Sequence, residues 1–358
     1  MIAVPLILAG GRGERFWPLS RSSNPKQLLR LAGNKTMVEE TLARARAACG
    51  GAQPLVITGR QCAAAMRRAL GRRVAYDCIV EPVGKNTAPA IALGALWVRR
   101  RHGDAVMLVA SADHAIAPKQ AFVKAVRSAA FLAQKTGSLV VFGIRPTRPD
   151  TGYGYINIGK PISGAGGTAS YQVRRFVEKP SAAVAREYVR SGNYLWNSGM
   201  FVWKTSAILS EIKEHMPRLY RQACAVERAG FTKASIDRYY KTCESESIDY
   251  GIMEKSSRIA AVCGAFCWDD IGSWEAMTRV HPKNKKGTVA VGPAVFDHES
   301  SNSIIYNASP LHVASIGLDN AVLVVTPDAV LAVARPLLPG LKKYLGMMKE
   351  KKFPAKLF

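Results

Sequence analysis

The sequence predicts an α/β fold, a mostly parallel sheet covered by helices on both faces, followed by a small β-rich domain. Three observations point there. Short β-branched or Leu-rich runs alternate with longer Ala-rich amphipathic stretches through the first half. After residue 151 the pattern changes to short runs with Gly-rich turns, and strand-like runs without long helices fill residues 288–333. With 358 residues and 48% hydrophobic content, the chain buries enough surface for one large domain and a smaller one.

The apolar opening, residues 1–9, has no basic segment before it and stops at Gly10-Gly11, so it reads as a buried strand and not as a secretory signal. Strands are predicted at 4–8, 55–58, 78–80, 106–110 and 139–143, where β-branched and Leu residues cluster. Helices are predicted at 36–49, 60–70, 88–101 and 119–134, several introduced by Thr or by Pro near the first turn. Strands alternating with helices of this length call for βαβ crossovers. Residues 151–204 are expected to form an inserted, partly antiparallel segment of short strands beside the carboxyl edge of the sheet. Helices resume over 206–254, and a basic turn at 282–287 divides a large domain, 1–285, from a C-terminal one, 286–358. Its basic tail, with Lys342, Lys343, Lys349, Lys351 and Lys352, reads as a solvated helix face.

The formal charge of +24 reflects 50 Lys and Arg against 26 acidic residues. Such a surplus attracts polyanions and speeds capture of phosphorylated small molecules. Neither RNP-like aromatic strands nor zinc-finger spacing accompanies it, so no nucleic-acid partner is expected. No apolar stretch reaches the roughly 18 residues of a membrane span, and no membrane partner is expected. The seven cysteines are scattered, as in a reduced, cytoplasmic protein, and the close pair Cys263 and Cys267 lacks the partners of a zinc site and is assigned to core packing.

The strongest local signal is Gly10-Gly11-Arg12-Gly13-Glu14-Arg15, directly after the first strand, followed by Trp17-Pro18-Leu19-Ser20-Arg21 and Asn24-Pro25-Lys26-Gln27. Glycines on a strand-to-helix turn let backbone N–H groups approach phosphate oxygens, while Arg15 and Lys26 supply charge against a triphosphate. The dinucleotide fingerprint fails at Phe16, and the Walker pattern fails because Asn34 precedes Lys35-Thr36. Asp113 follows a buried strand, which puts it at the carboxyl edge of the sheet, where open α/β sheets place ligands. The competing assignment is a helix N-cap before residues 116–122. His102, His114, His215 and His281 match no metal-ligand spacing and are given structural or surface roles.

The whole string resembles the opening of the mannose-1-phosphate guanylyltransferases, within the sugar-1-phosphate nucleotidyltransferase family. Further matches fall in family order: Glu81-Pro82 with Asn86-Thr87-Ala88-Pro89-Ala90, Ala112-Asp113-His114, Thr151-Gly152-Tyr153-Gly154-Tyr155-Ile156, Phe176-Val177-Glu178-Lys179-Pro180, Trp196-Asn197-Ser198-Gly199-Met200-Phe201 and Asp270-Ile271-Gly272-Ser273-Trp274. The resemblance spans about residues 1–278. It implies a Rossmann-like (GT-A-like) catalytic domain with an inserted sugar-binding segment, while the C-terminal part resembles the family's β-helical extension only loosely. The chain stops before the isomerase domain that bifunctional relatives carry.

The resemblance also implies an activity: transfer of GMP from GTP to α-D-mannose 1-phosphate, giving GDP-mannose and pyrophosphate with Mg²⁺ as cofactor. Arg15 and Lys26 would be catalytic. Gly10, Gly11, Gly13, Glu81, Asn86 and Thr87 would bind the nucleotide, although Lys85 stands where many relatives have Arg. Gly152, Glu178, Lys179 and Asn197 would bind the sugar phosphate, Lys179 being placed on the strand that runs through 173–177. Asp113 and Asp270 would hold the metal, Asp270 being favoured over its neighbour Asp269 because only one of two adjacent strand residues faces it. Another sugar or nucleotide, or a silent nucleotide sensor, stays open as an alternative. The edges of the small C-terminal sheet make a homo-oligomer, a dimer, the expectation.

Overall fold

In a computed structural model, the protein is described over residues 3–11, 13–71, 74–163 and 167–358. Arg12 of the glycine loop and the first two residues of the expected opening strand lie outside the described residues. The first half alternates β1 (Ala3–Ala9), α1 (Met37–Ala48), β2 (Leu55–Gly59), α2 (Arg60–Leu70), β3 (Asp77–Glu81), α3 (Thr87–His102) and β4 (Val106–Ser111), then β5 (Ala115–Ala117), α4 (Lys119–Thr136) and β6 (Leu139–Ile144). Local chemistry sets several of these ends. Thr36 and Glu39 form a reciprocal capping box that starts α1, and the Asn86 side chain accepts the Thr87 N–H at the start of α3.

The second half supplies β7 (Tyr155–Pro161), β8 (Ser170–Val177), α5 (Ala182–Ser191), β9 (Tyr194–Lys204), α6 (Thr205–His215), α7 (Pro217–Arg228), α8 (Lys233–Thr242), β10 (Ile259–Cys263), β11 (Cys267–Asp269) and α9 (Met277–Val280). The main sheet runs β3-β2-β1-β4-β9-β6-β10-β8-β7, with β3, β2, β1 and β4 mutually parallel and β10 parallel to β6. Alternate residues of β1 face opposite cores: Leu6 packs with Ile57, Leu96 and Trp203 on one side, and Ile7 with Val56, Phe122 and Phe142 on the other.

Two expectations for 151–204 need correction. This stretch does not sit beside the sheet as short strands. Its strand β9, eleven residues long, runs antiparallel between β4 and β6 in the middle of the sheet. Nearly all of β9 is buried, and Asn197-Ser198-Gly199, at a register shift against β6, interrupts the apolar run and makes one strand read as two. The segment also contains helix α5, capped by the Ser181 side chain.

The C-terminal region holds β12 (Val289–Val291), β13 (Val295–His298), β14 (Ile304–Asn307), β15 (Val313–Ile316), β16 (Ala321–Val325), β17 (Val330–Ala334) and α10 (Leu341–Glu350). Strands β12, β14 and β16 pair in parallel, as do β13 and β15, so successive strands alternate between two sheets like the rungs of a β-helix. The rungs do not bury themselves alone. Ile304, Tyr306, Val322, Val324, Leu341 and Leu345 form one apolar cluster with Phe16, Trp17 and Leu29 of the glycine-loop region and with Ile271 and Trp274. Polar ties reinforce this seam: Trp17 Nε1 donates to the Leu357 carbonyl (2.7 Å), Tyr306 Oη to the Arg30 carbonyl (3.2 Å), and Arg21 pairs with Asp328 (2.6 Å). A buried apolar side chain contributes about 1.5–3 kcal/mol against about 0–1 for an exposed ion pair, so the apolar seam dominates.

Among the described residues, no helix is long and apolar enough to cross a membrane. The core-packing assignment of the cysteine pair holds for one member only: Cys263 packs against the core, whereas Cys267 is exposed at the start of edge strand β11.

Candidate active site

Strand β1 ends at Ala9, and the chain turns at once into the glycine loop. Gly13 has φ +65°, a left-handed conformation that other residues adopt at a cost, and a Cβ there would collide with the Lys26 side chain. The loop is stitched to the segment after it: Ser20 Oγ donates to the Gly13 carbonyl and Gln27 Nε2 to the Gly10 carbonyl. These constraints shape a cavity of about 600 Å³ at the carboxyl ends of β1 and β4, lined by Gly10, Gly11, Gly13, Arg15, Lys26, Asp113 and Asp270. All seven come from the expected nucleotide, catalytic and metal sets. His114, Gln27 and Lys342 line it too.

Lys26 is buried, and its ammonium donates to Asp113 Oδ2 (2.8 Å) and to the Asp270 carbonyl (2.7 Å), tying the two expected metal positions together. Burial pushes the Asp113 carboxyl upward, but the charge and hydrogen bond of Lys26 outweigh it and hold the group below the usual carboxylate range. Asp113 does not cap a helix; α4 begins at Lys119, after Pro118. His114 is buried, accepts Trp268 Nε1 at Nδ1 (3.2 Å), and is shifted down by burial, so its ring is a neutral wall of the cavity.

The two neighbouring aspartates diverge. Asp269 ends β11 and is held by Arg279 in an ion pair and by the Ile271 N–H (2.8 Å). Asp270 turns into the cavity, where its Oδ1 accepts the Tyr153 hydroxyl (2.9 Å). Burial and the Asp270 charge push the Tyr153 phenol well up, so it remains a donor.

Gly154, next to Tyr153 in the chain, leads from the cavity to a second cluster: its carbonyl accepts the Asn197 N–H (2.8 Å). Asn197 on β9 donates through Nδ2 to Asp249 Oδ1 (2.9 Å) and accepts the Gly199 N–H at Oδ1 (2.9 Å). The Glu178 carboxylate pairs with Lys179 (2.6 Å), while its other oxygen is buried without a partner. That oxygen abuts Gly154, where any Cβ would strike it. Lys179 is not on a strand: β8 ends at Val177, and Lys179 has φ +47°. Gly152 is exposed and donates to Asp150 Oδ1 (2.9 Å). Asp249 begins a π-helical turn, Asp249–Met253, and burial together with Glu178 raises its carboxyl to about 6.

Glu81, Asn86 and Thr87 form neither group and do not line the cavity. Glu81 is buried at the end of β3, where burial raises its carboxyl. Asn86 caps α3, and Thr87 Oγ1 accepts the Ile248 N–H (2.8 Å). The 246–254 segment therefore bridges the Thr87 region to Asn197 and, through Glu254, to the Glu178 backbone N–H (3.0 Å). Sequence reasoning missed Tyr153, Asp249 and Lys342. Tyr153 stood inside a motif already singled out, whereas nothing local marks Asp249 or Lys342.

A family model described as nucleotidyl transferase matches residues 4–287. The chain belongs to the nucleotidyl transferase family. Among relatives of this nucleotidyl transferase, the mannose-1-phosphate guanylyltransferases of Klebsiella pneumoniae and Escherichia coli are each 42% identical to it over 355 residues, covering 97% of this chain and 74% of theirs. A solved structure named mannose-1-phosphate geranyltransferase, from Thermus thermophilus, superposes with a TM-score of 0.86 at 31% identity, covering 98% of this chain and 100% of that one. UDP-glucose pyrophosphorylase complexed with UDP-glucose, at 19% identity and a TM-score of 0.51 over 78% of this chain and 97% of that one, shares the fold.

Proposed function

We propose that the protein is a mannose-1-phosphate guanylyltransferase that transfers GMP from GTP to α-D-mannose 1-phosphate, releasing pyrophosphate. The observation that carries this reading is the convergence in one cavity of Gly10, Gly11, Gly13, Lys26 and the Asp113 and Asp270 carboxylates, connected through the Tyr153-Gly154 segment to the Glu178–Lys179–Asn197 cluster.

A phosphate oxygen of the sugar 1-phosphate attacks the α-phosphorus in line, the new P–O bond forms, and the bond to the bridging oxygen of pyrophosphate breaks. The nucleophile is already an anion, so no protein base is needed. The neutral, tethered His114 is suited to a wall and not to proton transfer. The task left to the chain is orienting two mutually repelling polyanions. Arg15 and Lys26 face the triphosphate, and Lys179 meets the sugar phosphate. The unpartnered Glu178 oxygen is placed to accept a sugar hydroxyl, because a buried acceptor without a donor is costly until a ligand supplies one.

The donor set suits Mg²⁺. Two carboxylates on one cavity wall, with no cluster of three or more metal-ligating side chains among the described residues, match an ion that completes its shell with phosphate oxygens and water. Asp113 and Asp270 would hold it, and the ion when bound neutralises phosphate charge.

Pyrophosphate release by purified protein tests the reading, with GTP, ATP, UTP, CTP and dTTP crossed against mannose, glucose and other sugar 1-phosphates in the presence of Mg²⁺. Release with GTP and mannose 1-phosphate together is the expected result. Another active pair would overturn the substrates and keep the chemistry, and silence in every pair by folded, GTP-binding protein would point to a sensor.

A further inference from the structure

We propose that Lys342, on the C-terminal helix α10, is a nucleotide-binding residue of the catalytic cavity that contacts the terminal phosphates leaving as pyrophosphate. The inference rests on the nucleotidyl-transfer reading and extends it, because it makes the C-terminal region part of the active site.

Lys342 was expected on a solvated face with the other tail lysines. It is exposed as expected, but it also lines the same cavity as Gly13, Arg15, Lys26 and Asp113. Its position does not depend on its own contacts. The flanking residue Leu341 and, one turn on, Leu345 are 3% and 5% exposed in the apolar seam with Phe16 and Trp17, so the backbone under Lys342 is fixed beside the Glu14–Phe16 turn. The Lys342 ammonium has one carboxylate within ion-pair reach, Glu14 at 3.6 Å, and the side chain is 78% exposed on the rim. Lys26, by contrast, uses two of its three N–H donors on Asp113 and the Asp270 carbonyl, so among the described cations lining the cavity Arg15 and Lys342 have the greater capacity for further anionic oxygens.

The order of contacts across the cavity gives the direction. The sugar cluster contacts Gly154, its chain neighbour Tyr153 meets Asp270, Asp270 meets Lys26, Lys26 packs on Gly13, and Glu14 next to Gly13 meets Lys342. The α-phosphorus must stand on the sugar side to be attacked. The β- and γ-phosphates then extend toward the Glu14 side, where Lys342 waits.

The test compares GTP and GMP binding to full-length wild type, Lys342→Ala, Lys342→Arg and Lys343→Ala by calorimetry, with steady-state kinetics alongside. Lys343 is the exposed neighbour that does not line the cavity. The expected result is a roughly tenfold loss of GTP affinity in Lys342→Ala, the low end for a charge-assisted contact on an exposed rim, with GMP affinity unchanged. The KM for pyrophosphate in the reverse reaction rises with it, the KM for mannose 1-phosphate stays within about twofold, Lys342→Arg recovers part of the loss and Lys343→Ala loses nothing. Equal losses for GTP and GMP would assign Lys342 a structural role and overturn the proposal, as would wild-type GTP affinity in Lys342→Ala. Failure of the substrate reading shows separately, as wild-type protein that binds GTP but transfers nothing to mannose 1-phosphate.

Discussion

Replacing Lys26 by Ala removes the link on which the cavity is built. In the wild type the ammonium sits between Asp113 Oδ2 and the Asp270 carbonyl, and the side chain is 8% exposed. Breaking a fully buried pair costs about 3–5 kcal/mol because the surviving charge is stranded. Asp113, however, keeps 27% of its side chain exposed and faces an open cavity, so water replaces the lost donor and the cost falls to about 1–2 kcal/mol. In a chain of this size that is a fall in Tm of a few degrees. Turnover responds far more, since losing one preorganised donor aimed at developing charge costs about 2.7–4 kcal/mol, or about 10²–10³ in kcat. The assay pairs pyrophosphate release at saturating substrates with thermal unfolding followed by circular dichroism. Turnover within about threefold of wild type in a folded Lys26→Ala protein would refute the assigned role. Loss of fold would refute the argument that the open cavity rehydrates Asp113.

Three further perturbations separate the parts of the site. Asp249 has a folded-state carboxyl raised to about 6, above its value in the unfolded chain, so its ionisation opposes folding as pH rises from about 4 to 6. Asp249→Asn should therefore match wild-type stability near pH 4 and exceed it at pH 7 by no more than about 3 kcal/mol of unfolding free energy, while its KM for mannose 1-phosphate rises because the Asn197 amide loses its anionic partner; a constant stability difference across pH would show that Asp249 is not the titrating group. Trp274 is fully buried between Phe16 (5.2 Å) and Tyr306 (5.1 Å), and Trp274→Ala should cost about 3–5 kcal/mol in chemical denaturation. A loss below about 1 kcal/mol would mean that the seam between the glycine loop and the C-terminal rungs does not carry the stability assigned to it. Gly13→Ala meets a left-handed penalty of about 1–2 kcal/mol and displaces Lys26, so turnover should fall as in Lys26→Ala with only a small shift in Tm; unimpaired turnover would show that the loop tolerates relaxation there.

Much of the fold was legible because its signals are local. The βαβ alternation of the first half follows from apolar runs of strand length, helical periodicity and caps such as Thr36, and apart from the unexpected three-residue β5 the observed elements from β1 to β6 start and end within a few residues of the expected ones. The parallel order of β3, β2, β1 and β4 is the outcome such alternation favours. Strand β9 was misread because its partners β4 and β6 are distant in sequence, and its polar centre at Asn197-Ser198-Gly199 imitates a turn.

The candidate site divides in the same way. Residues 10–27 announced a phosphate loop through glycines and basic residues at short spacing, and Asp113 through its place after a buried strand. Whether Asp269 or Asp270 faced that loop depended on Arg279, which captures the first and leaves the second to the cavity.

By itself the sequence determined the strand and helix periods, the glycine loop and the family motifs, since each depends on residues close together in the chain. Only the tertiary structure decided that Asp249 anchors Asn197, that β9 occupies the centre of the sheet, and that α10 brings Lys342 to the cavity. Those placements are fixed by packing between segments far apart in the chain: β9 and the 248–253 turn by the two cores of the main sheet, and α10 by the seam of Phe16, Trp17, Trp274, Tyr306, Leu341 and Leu345. Apolar burial of this kind is non-directional, so composition can demand that these side chains be covered without specifying which of them meet.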